Sequence, residues 1–220
     1  MQKSETMKVK TEEHTNGLYV VAGKRAFDLL VSLFGLIIFA VAYVILFIPY
    51  KLRDHGPMLF KQTRLGKNGK AFKIVKFRSM RVNADEYLHA NKALFAEYVA
   101  NGYKLEPERD PRMTKLGRFL RKTSIDELPQ FINVFRGEMS LVGPRPIVVE
   151  ELEEYGEQKD DFLRMKPGIT GIWQTSGRSN VTYPDRVDLE LSYLDQPSFL
   201  KDIKIIVLTV LQVLVHDGAY

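Results

Sequence analysis

Two adjacent carboxylates, Asp126 and Glu127, stand in the stretch Arg121-Lys122-Thr123-Ser124-Ile125-Asp126-Glu127-Leu128-Pro129-Gln130, with cations upstream and a proline just downstream. Apolar residues at Leu128, Phe131, Ile132, Val134 and Phe135 recur at helical spacing, and Gly137 is placed to close that helix. Pro129 belongs in its first turn, because deeper in a helix it would cost a hydrogen bond and clash. The acidic pair is therefore predicted at a helix N-terminus, where it has two readings. In one, Ser124-x-x-Glu127 is a capping box, and the acids suit the positive end of a helix dipole. In the other, Arg121, Lys122 and the helix end form a field that holds phosphate. A carboxylate there stays ionised and attacks phosphorus as a nucleophile. Asp126 and Glu127 are then the catalytic pair, with Glu127 able to hold a hard cation such as Mg2+, which prefers oxygen ligands and phosphate partners.

Two more basic clusters favour the second reading. In Ser140-Leu141-Val142-Gly143-Pro144-Arg145-Pro146 the flanking prolines restrict the backbone and pre-orient Arg145, whose planar fork suits phosphate oxygens. In Lys76-Phe77-Arg78-Ser79-Met80 a predicted strand end places Lys76 and Arg78 on one face. Singly these are a stiff surface loop and a charged strand end. Together with the acidic pair they make a site for diphosphate, metal and nucleophile.

The elements that must position these residues are legible in outline. Gly56-Pro57 marks a turn, Met58-Leu59-Phe60 starts a short apolar stretch, and Asn68-Gly69 favours the positive φ angles of a tight hairpin. Phe72 to Met80 alternates as the returning strand. Asn83 to Val99 reads as a helix over a mobile, polar insertion, which Glu106 to Pro111 ends with charges and prolines. Phe199 to Val215 is an apolar helix with Lys201, Asp202 and Lys204 at its start, suited to a membrane interface or to packing on the core.

From Leu29 to Tyr50 no side chain is charged, and the segment is apolar on every face, so it is read as a membrane helix and not as a buried core helix. Ala40-Val41-Ala42 imitates a signal-peptide cleavage site, yet the chain stays hydrophobic beyond it and a long polar tail precedes it. Lys8, Lys10, Lys24 and Arg25 precede the segment, and Lys51, Arg53, Lys61 and Arg64 follow it. A simple span leaves one basic flank outside, whereas a re-entrant helix keeps both on the cytoplasmic side.

At 220 residues one catalytic unit is the default. The absence of cysteine excludes disulfides, thiolate nucleophiles and sulfur-based zinc sites. His14, His55, His89 and His216 show no i, i+4 metalloprotease pairing and are read as ordinary residues. A formal net charge of +5 calls for an anionic partner: nucleic acid, a membrane surface or a phosphorylated substrate. Against nucleic acid, the basic residues are dispersed among prolines and glycines and no aromatic RNP-like strand occurs.

From Lys24 to Tyr220 the chain resembles the bacterial sugar transferase family, the monotopic phosphoglycosyl transferases. The resemblance is carried by Lys24-Arg25-x-Phe27-Asp28, Gly56-Pro57-x-x-Phe60-x-Gln62-x-Arg64-x-Gly66, Lys76-Phe77-Arg78-Ser79-Met80 and Asp110-Pro111-Arg112-x-Thr114. The stretch around Asp126, then Gly143-Pro144-Arg145-Pro146 and Lys166-Pro167-Gly168-Ile169-Thr170-Gly171-x-Trp173-Gln174, complete it. The family's usual Ser-Pro helix break is replaced here by Ala40-Val41, and Pro49 is the only proline in the segment.

The resemblance implies an α+β, helix-rich monotopic membrane protein with a re-entrant N-terminal helix, a small β-hairpin and interfacial amphipathic helices. Its parts would be a polar tail at 1–23, the membrane helix at 24–50 and a cytoplasmic catalytic domain at 51–220 ending in an interfacial helix, at the bacterial inner membrane. It further implies a ping-pong transfer of glucose or galactose 1-phosphate from a UDP-sugar to undecaprenyl phosphate, with release of UMP. Such a transfer is the first membrane step of exopolysaccharide, capsule or O-antigen synthesis. Asp126 maps to the nucleophile, Glu127 to the metal-coordinating residue, and Arg121 and Arg145 to phosphate-handling arginines; Lys76, Arg78, Gln174 and Arg178 are further substrate-binding candidates. The partners implied are UDP-sugar, undecaprenyl phosphate and membrane lipid, with no nucleic acid and with self-association left open. The competing class is a membrane-anchored basic scaffold or pseudo-enzyme without transferase activity.

Overall fold

The computed structural model describes residues 19–53, 56–101, 103, 105–106, 108–177, 181–195 and 197–215. After a short π-helical lead at Tyr19–Gly23, helix α1 runs over Lys24–Arg53, and an antiparallel hairpin follows, β1 at Leu59–Leu65 and β2 at Ala71–Phe77. The insertion forms two short helices, α2 at Ala84–Ala90 and α3 at Lys92–Ala100. Helices α4 at Lys115–Lys122 and α5 at Gln130–Arg136 flank a 3-10 turn at Ile125–Glu127. Strand β3 at Ser140–Val142 pairs in parallel with β4 at Gly168–Thr170 across α6 at Lys159–Leu163. The chain then continues through α7 at Ile172–Thr175, α8 at Asp185–Asp195 and α9 at Phe199–Val215. Among the described residues the protein is thus helix-rich with a small hairpin, as expected; the parallel β3/β4 pair was not expected.

The hairpin forms where Asn-Gly predicts it, with Asn68 at φ 56° and Gly69 at φ 72°, the conformation that this dipeptide adopts at little cost. Register runs from Leu59 opposite Phe77 to Leu65 opposite Ala71. The returning strand ends at Phe77, short of the Met80 expected: one more rung joins the Arg78 N–H to the Met58 carbonyl, and the chain then leaves the hairpin, Met80 bridging Met113, while the Arg78 guanidinium donates to the carbonyls of Pro57 and Met80.

Asn133, fully buried on α5, fixes the hairpin to the helix that follows the acidic pair. Its Oδ1 accepts from the Val75 N–H at 3.0 Å, and its Nδ2 donates to the Lys73 carbonyl at 2.8 Å and to Glu138 at 2.7 Å. Asn133→Ala strands two buried backbone groups and is expected to cost about 2–4 kcal/mol, read as a fall in the thermal unfolding midpoint.

Helix α1 passes through Ala40–Val41 without interruption, with Pro49 inside it. It is attached to the rest of the protein along its length. At its start, Lys24 Nζ reaches Asp202 of α9 at 2.6 Å, Arg25 donates to the Val134 and Phe135 carbonyls at 2.7 and 2.9 Å, and Asp28 accepts from the Leu141 N–H at 2.9 Å. Midway, Gly35 lies so close to the Phe131 ring that a Cβ there would come within 2.5 Å of it. At its far end Leu46 and Tyr50 are buried with Phe77 and Leu120, and the Tyr50 hydroxyl donates to the Arg78 carbonyl. Its other face exposes Leu30, Phe34, Ile37, Val41, Val44 and Ile48. Helix α9 divides in the same way, with Asp202 and Ile205 buried and Leu200, Val210, Leu211 and Leu214 exposed.

Candidate active site

The acidic pair is oriented by the residues around it. Ile125 and Leu128 pack into the cluster formed by Leu46, Tyr50, Phe77 and Leu120, so the two residues between them turn toward a cavity of about 310 Å³ that both line. Ser124 enters the turn in the left-handed region at φ 54°, a conformation uncommon for a residue with a side chain. Its hydroxyl makes no capping bond, and Pro129, not Ser124, occupies the N-cap of α5. The capping-box alternative is thereby overturned. Glu127 instead pairs with Lys76, Nζ to Oε1 at 2.8 Å, across the end of the hairpin.

Asp126 is 5% exposed. Burial pushes its carboxyl up to about 6, and the Glu127 charge adds to that, while Lys76 and Arg121 pull it down. The sequence argument expected its basic neighbours to dominate; desolvation dominates instead, because Asp126 lies at the cavity floor. A group with this value is still mostly ionised at pH 7.

Of the other expected site residues, Lys76, Arg121, Arg145 and Gln174 line the same cavity. Arg145 is held as its prolines suggest: the Pro144 carbonyl accepts from the Gly168 N–H at 2.8 Å, the Pro146 carbonyl from Arg64 at 3.3 Å, and the Arg145 N–H donates to Glu190 at 3.2 Å. Its guanidinium lies 5.4 Å from the Trp173 ring centre. Arg78 is placed apart from these: it does not line the cavity, but is 4% exposed, tied to Pro57 and Met80 and stacked 5.6 Å from the Tyr50 ring. It braces the end of α1 against the hairpin. Arg178 lies outside the described residues.

The cavity also contains residues to which the sequence argument gave no role. Phe60, Gln62 and Arg64, alternate positions of β1, all reach it; the period-two spacing of Gln62 and Arg64 was the available signal. Arg64 donates to Gln62 at 2.6 Å and contacts Glu151 at 3.5 Å, yet its buried Nε has no protein partner, and neither has the Nε of Arg145. Burial and then the neighbouring Arg145 push the Arg64 guanidinium below its ordinary value. Behind them Arg186 contacts Glu151 at 3.4 Å and Glu190 at 3.2 Å and sits 4.6 Å from the Trp173 ring. Two guanidiniums, those of Arg64 and Arg186, thus take up Glu151 and Glu190, and the Arg145 guanidinium adds a third positive charge beside them, leaving unpaired N–H groups suited to an anion. Arg112, doubly bonded to Asp110, and the insertion residues Asp85, Tyr98, Tyr103 and Leu105 complete the walls.

A buried carboxylate facing a cationic wall is equipped to attack a phosphoryl group. The comparisons agree in class: the bacterial sugar transferase profile matches residues 19–216, and the chain belongs to that family. Over 197 residues it is 46% identical to the galactosyl transferase CpsE of Streptococcus agalactiae serotype III, an alignment covering 89% of this chain and 43% of that protein. It is 45% identical over 201 residues to the undecaprenyl-phosphate galactose phosphotransferase of Salmonella typhimurium, covering 90% and 41%. With the exopolysaccharide production protein ExoY of Sinorhizobium fredii it shares 39% over 214 residues, covering 94% and 93%. The chain therefore spans less than half the length of the first two relatives and nearly all of the third.

Proposed function

We propose that the protein is a phosphoglycosyl transferase that moves hexose 1-phosphate from a UDP-sugar to undecaprenyl phosphate. The observation that carries this reading is the buried Asp126 carboxylate on the floor of a cavity walled by Lys76, Arg121, Arg64 and Arg145. The names of the galactosyl transferase and galactose phosphotransferase relatives support a hexose donor and this lipid acceptor. In the first step an Asp126 oxygen attacks the β-phosphorus of the UDP-sugar, and the bond to the bridging oxygen breaks with its electrons leaving on UMP. In the second, a phosphate oxygen of the acceptor attacks the same phosphorus, the Asp126–phosphorus bond breaks, and the carboxylate is restored. A scaffold would have no use for a desolvated carboxylate at the bottom of a cationic cavity, since such a group costs stability.

Mg2+ fits the residues present. Among the described residues no group of three or more acidic, histidine or cysteine side chains forms a metal cage, but Mg2+ commonly takes one or two carboxylates and fills its shell with phosphates and water. Glu127, with its carboxylate partly exposed in the cavity beside Asp126, is the residue to hold it. When bound, the cation neutralises charge on the diphosphate oxygens.

The exposed apolar faces of α1 and α9 support insertion into the inner membrane. Attachment of both ends of α1 to one domain supports placing both flanks of the segment at 24–50, and the catalytic domain at 51–220, on the cytoplasmic side, although the helix, unbroken at Ala40–Val41, lacks the turn expected of a re-entrant segment. The test is direct. Purified protein with UDP-galactose or UDP-glucose, undecaprenyl phosphate and Mg2+ is expected to release UMP, and chelation of the metal to stop it. Absence of UMP with either sugar would defeat the proposal.

A further inference from the structure

Charge is confined to part of the cavity lining, and one stretch of the lining carries none. All its charged residues come from β1, β2, the insertion, Arg112, α4, the Ile125–Glu127 turn and the Pro-Arg-Pro loop. By contrast Leu128, Phe131, Ile169, Thr209 and Val213, contributed by the start of α5, by β4 and by α9, carry no charge. Phe131 and Ile169 pack in one cluster with Val31 of α1 and Ile206 of α9, which places this wall where the two apolar helices flank α5 and β4. Its outer edge meets exposed apolar side chains: Val210 and Leu214 next to Val213 on α9, and Phe34 and Ile38 around Gly35. Thr209 is held at the cavity by its pair with Thr170 at 2.6 Å, and α9 is further fixed by Gln212, which donates to the Thr175 carbonyl at 3.0 Å.

We propose that the uncharged wall bearing Phe131, Ile169, Thr209 and Val213 receives the first isoprene units of the polyprenyl phosphate, so that the acceptor enters between α1 and α9. This rests on the transferase reading above. The occupant follows from complementarity: a molecule with an anionic head and a hydrocarbon tail places its phosphate against Lys76 and Arg121 and its chain on the apolar wall. A nucleotide sugar could offer that wall only the faces of its uracil ring, whereas an isoprenoid chain matches it along its whole length.

Two measurements test the assignment. In the first, Val213→Asn is assayed with undecaprenyl phosphate and with a two-isoprene phosphate. The expected result is a KM for the long acceptor raised at least tenfold relative to the short one, with the KM for UDP-hexose within twofold of its normal value. The same substitution at exposed Leu211, on the opposite face of α9 from Val213, is expected to leave the ratio of the two acceptors unchanged. An unaltered ratio in Val213→Asn would overturn the assignment. In the second, a photo-crosslinking amino acid replaces Val213 or Leu211, and labelled undecaprenyl phosphate is added without any UDP-sugar. Capture at 213 is expected to saturate and to be competed by unlabelled lipid, and capture at 211 to do neither. Equal behaviour at the two positions, or no capture at 213, would overturn it. Because the second measurement needs no turnover, it decides the lipid wall even if the unaltered protein released no UMP and the transferase reading fell.

Discussion

Asp126→Asn is expected to lower UMP release by about a thousandfold or more, the scale on which loss of a nucleophile acts, while leaving the protein folded and more stable at pH 8. The first effect follows from the chemistry, since an amide cannot form the phosphoryl bond. The second follows from burial. A folded-state value of about 6, above the ordinary 3.8, means that the folded protein holds a proton on Asp126 more tightly than the unfolded chain does. This group's contribution to stability is therefore fully present below pH 3.8 and lost as the pH rises through 6. An asparagine has no charge to desolvate, so the variant is expected to gain roughly 1–3 kcal/mol at pH 8 and almost nothing at pH 4. The unaltered protein should lose UMP release about tenfold per pH unit below 6, as the carboxylate takes up its proton. An Asn variant that kept a tenth of the activity would remove Asp126 as nucleophile. A lower unfolding midpoint at pH 8 would show that the carboxylate supports the fold.

Gly117→Ala should be the most damaging single methyl group in the protein. Gly117 lies in the first turn of α4, and a Cβ there would come 1.7 Å from the Ser79 carbonyl oxygen and 2.4 Å from its carbon. The neighbouring atoms are backbone, already fixed by the Thr114 N–H bond to the same carbonyl at 3.1 Å and by the Thr114 hydroxyl capping Gly117 at 2.9 Å. No side chain can rotate away, so α4 must move as a body, and with it Arg121 and the turn that carries Asp126. The cost is expected to be about 3 kcal/mol or more, a fall in Tm of roughly 6–12 °C for a chain of this size, accompanied by loss of UMP release. An unchanged Tm would mean that α4 is not seated on Ser79 as described.

The parts of this site that could be read in advance are those set by short-range chemistry. Asn68-Gly69 specifies its own turn, Pro129 limits where α5 can begin, Gly137 closes α5 at φ 82°, and two prolines fix the loop of Arg145. What could not be read depends on long-range packing. Lys76 and Arg78 have the same charge and alternate in sequence, but the strand ends between them, so one meets Glu127 and the other binds Pro57 and Met80. The capping box was a sound local pattern that lost to a partner 51 residues away. The pairing of β3 with β4 was hidden because three-residue strands carry too little periodicity to detect. The depth of Asp126 was hidden too, because burial depends on where Ile125 and Leu128 find their neighbours.

Helix α5 is only seven residues long, and its two ends serve different masters. At one end its last carbonyls are gripped by Arg25 of α1; at the other it continues directly from Asp126 and Glu127. Phe131, one turn in, bears on α1 at Gly35. The short helix therefore works as a connecting rod: a tilt of α1 at Arg25 or Gly35 is carried to Asp126 and Glu127 with no loop between to absorb it, alongside the direct packing of Leu46 and Tyr50 on Ile125 and Leu128.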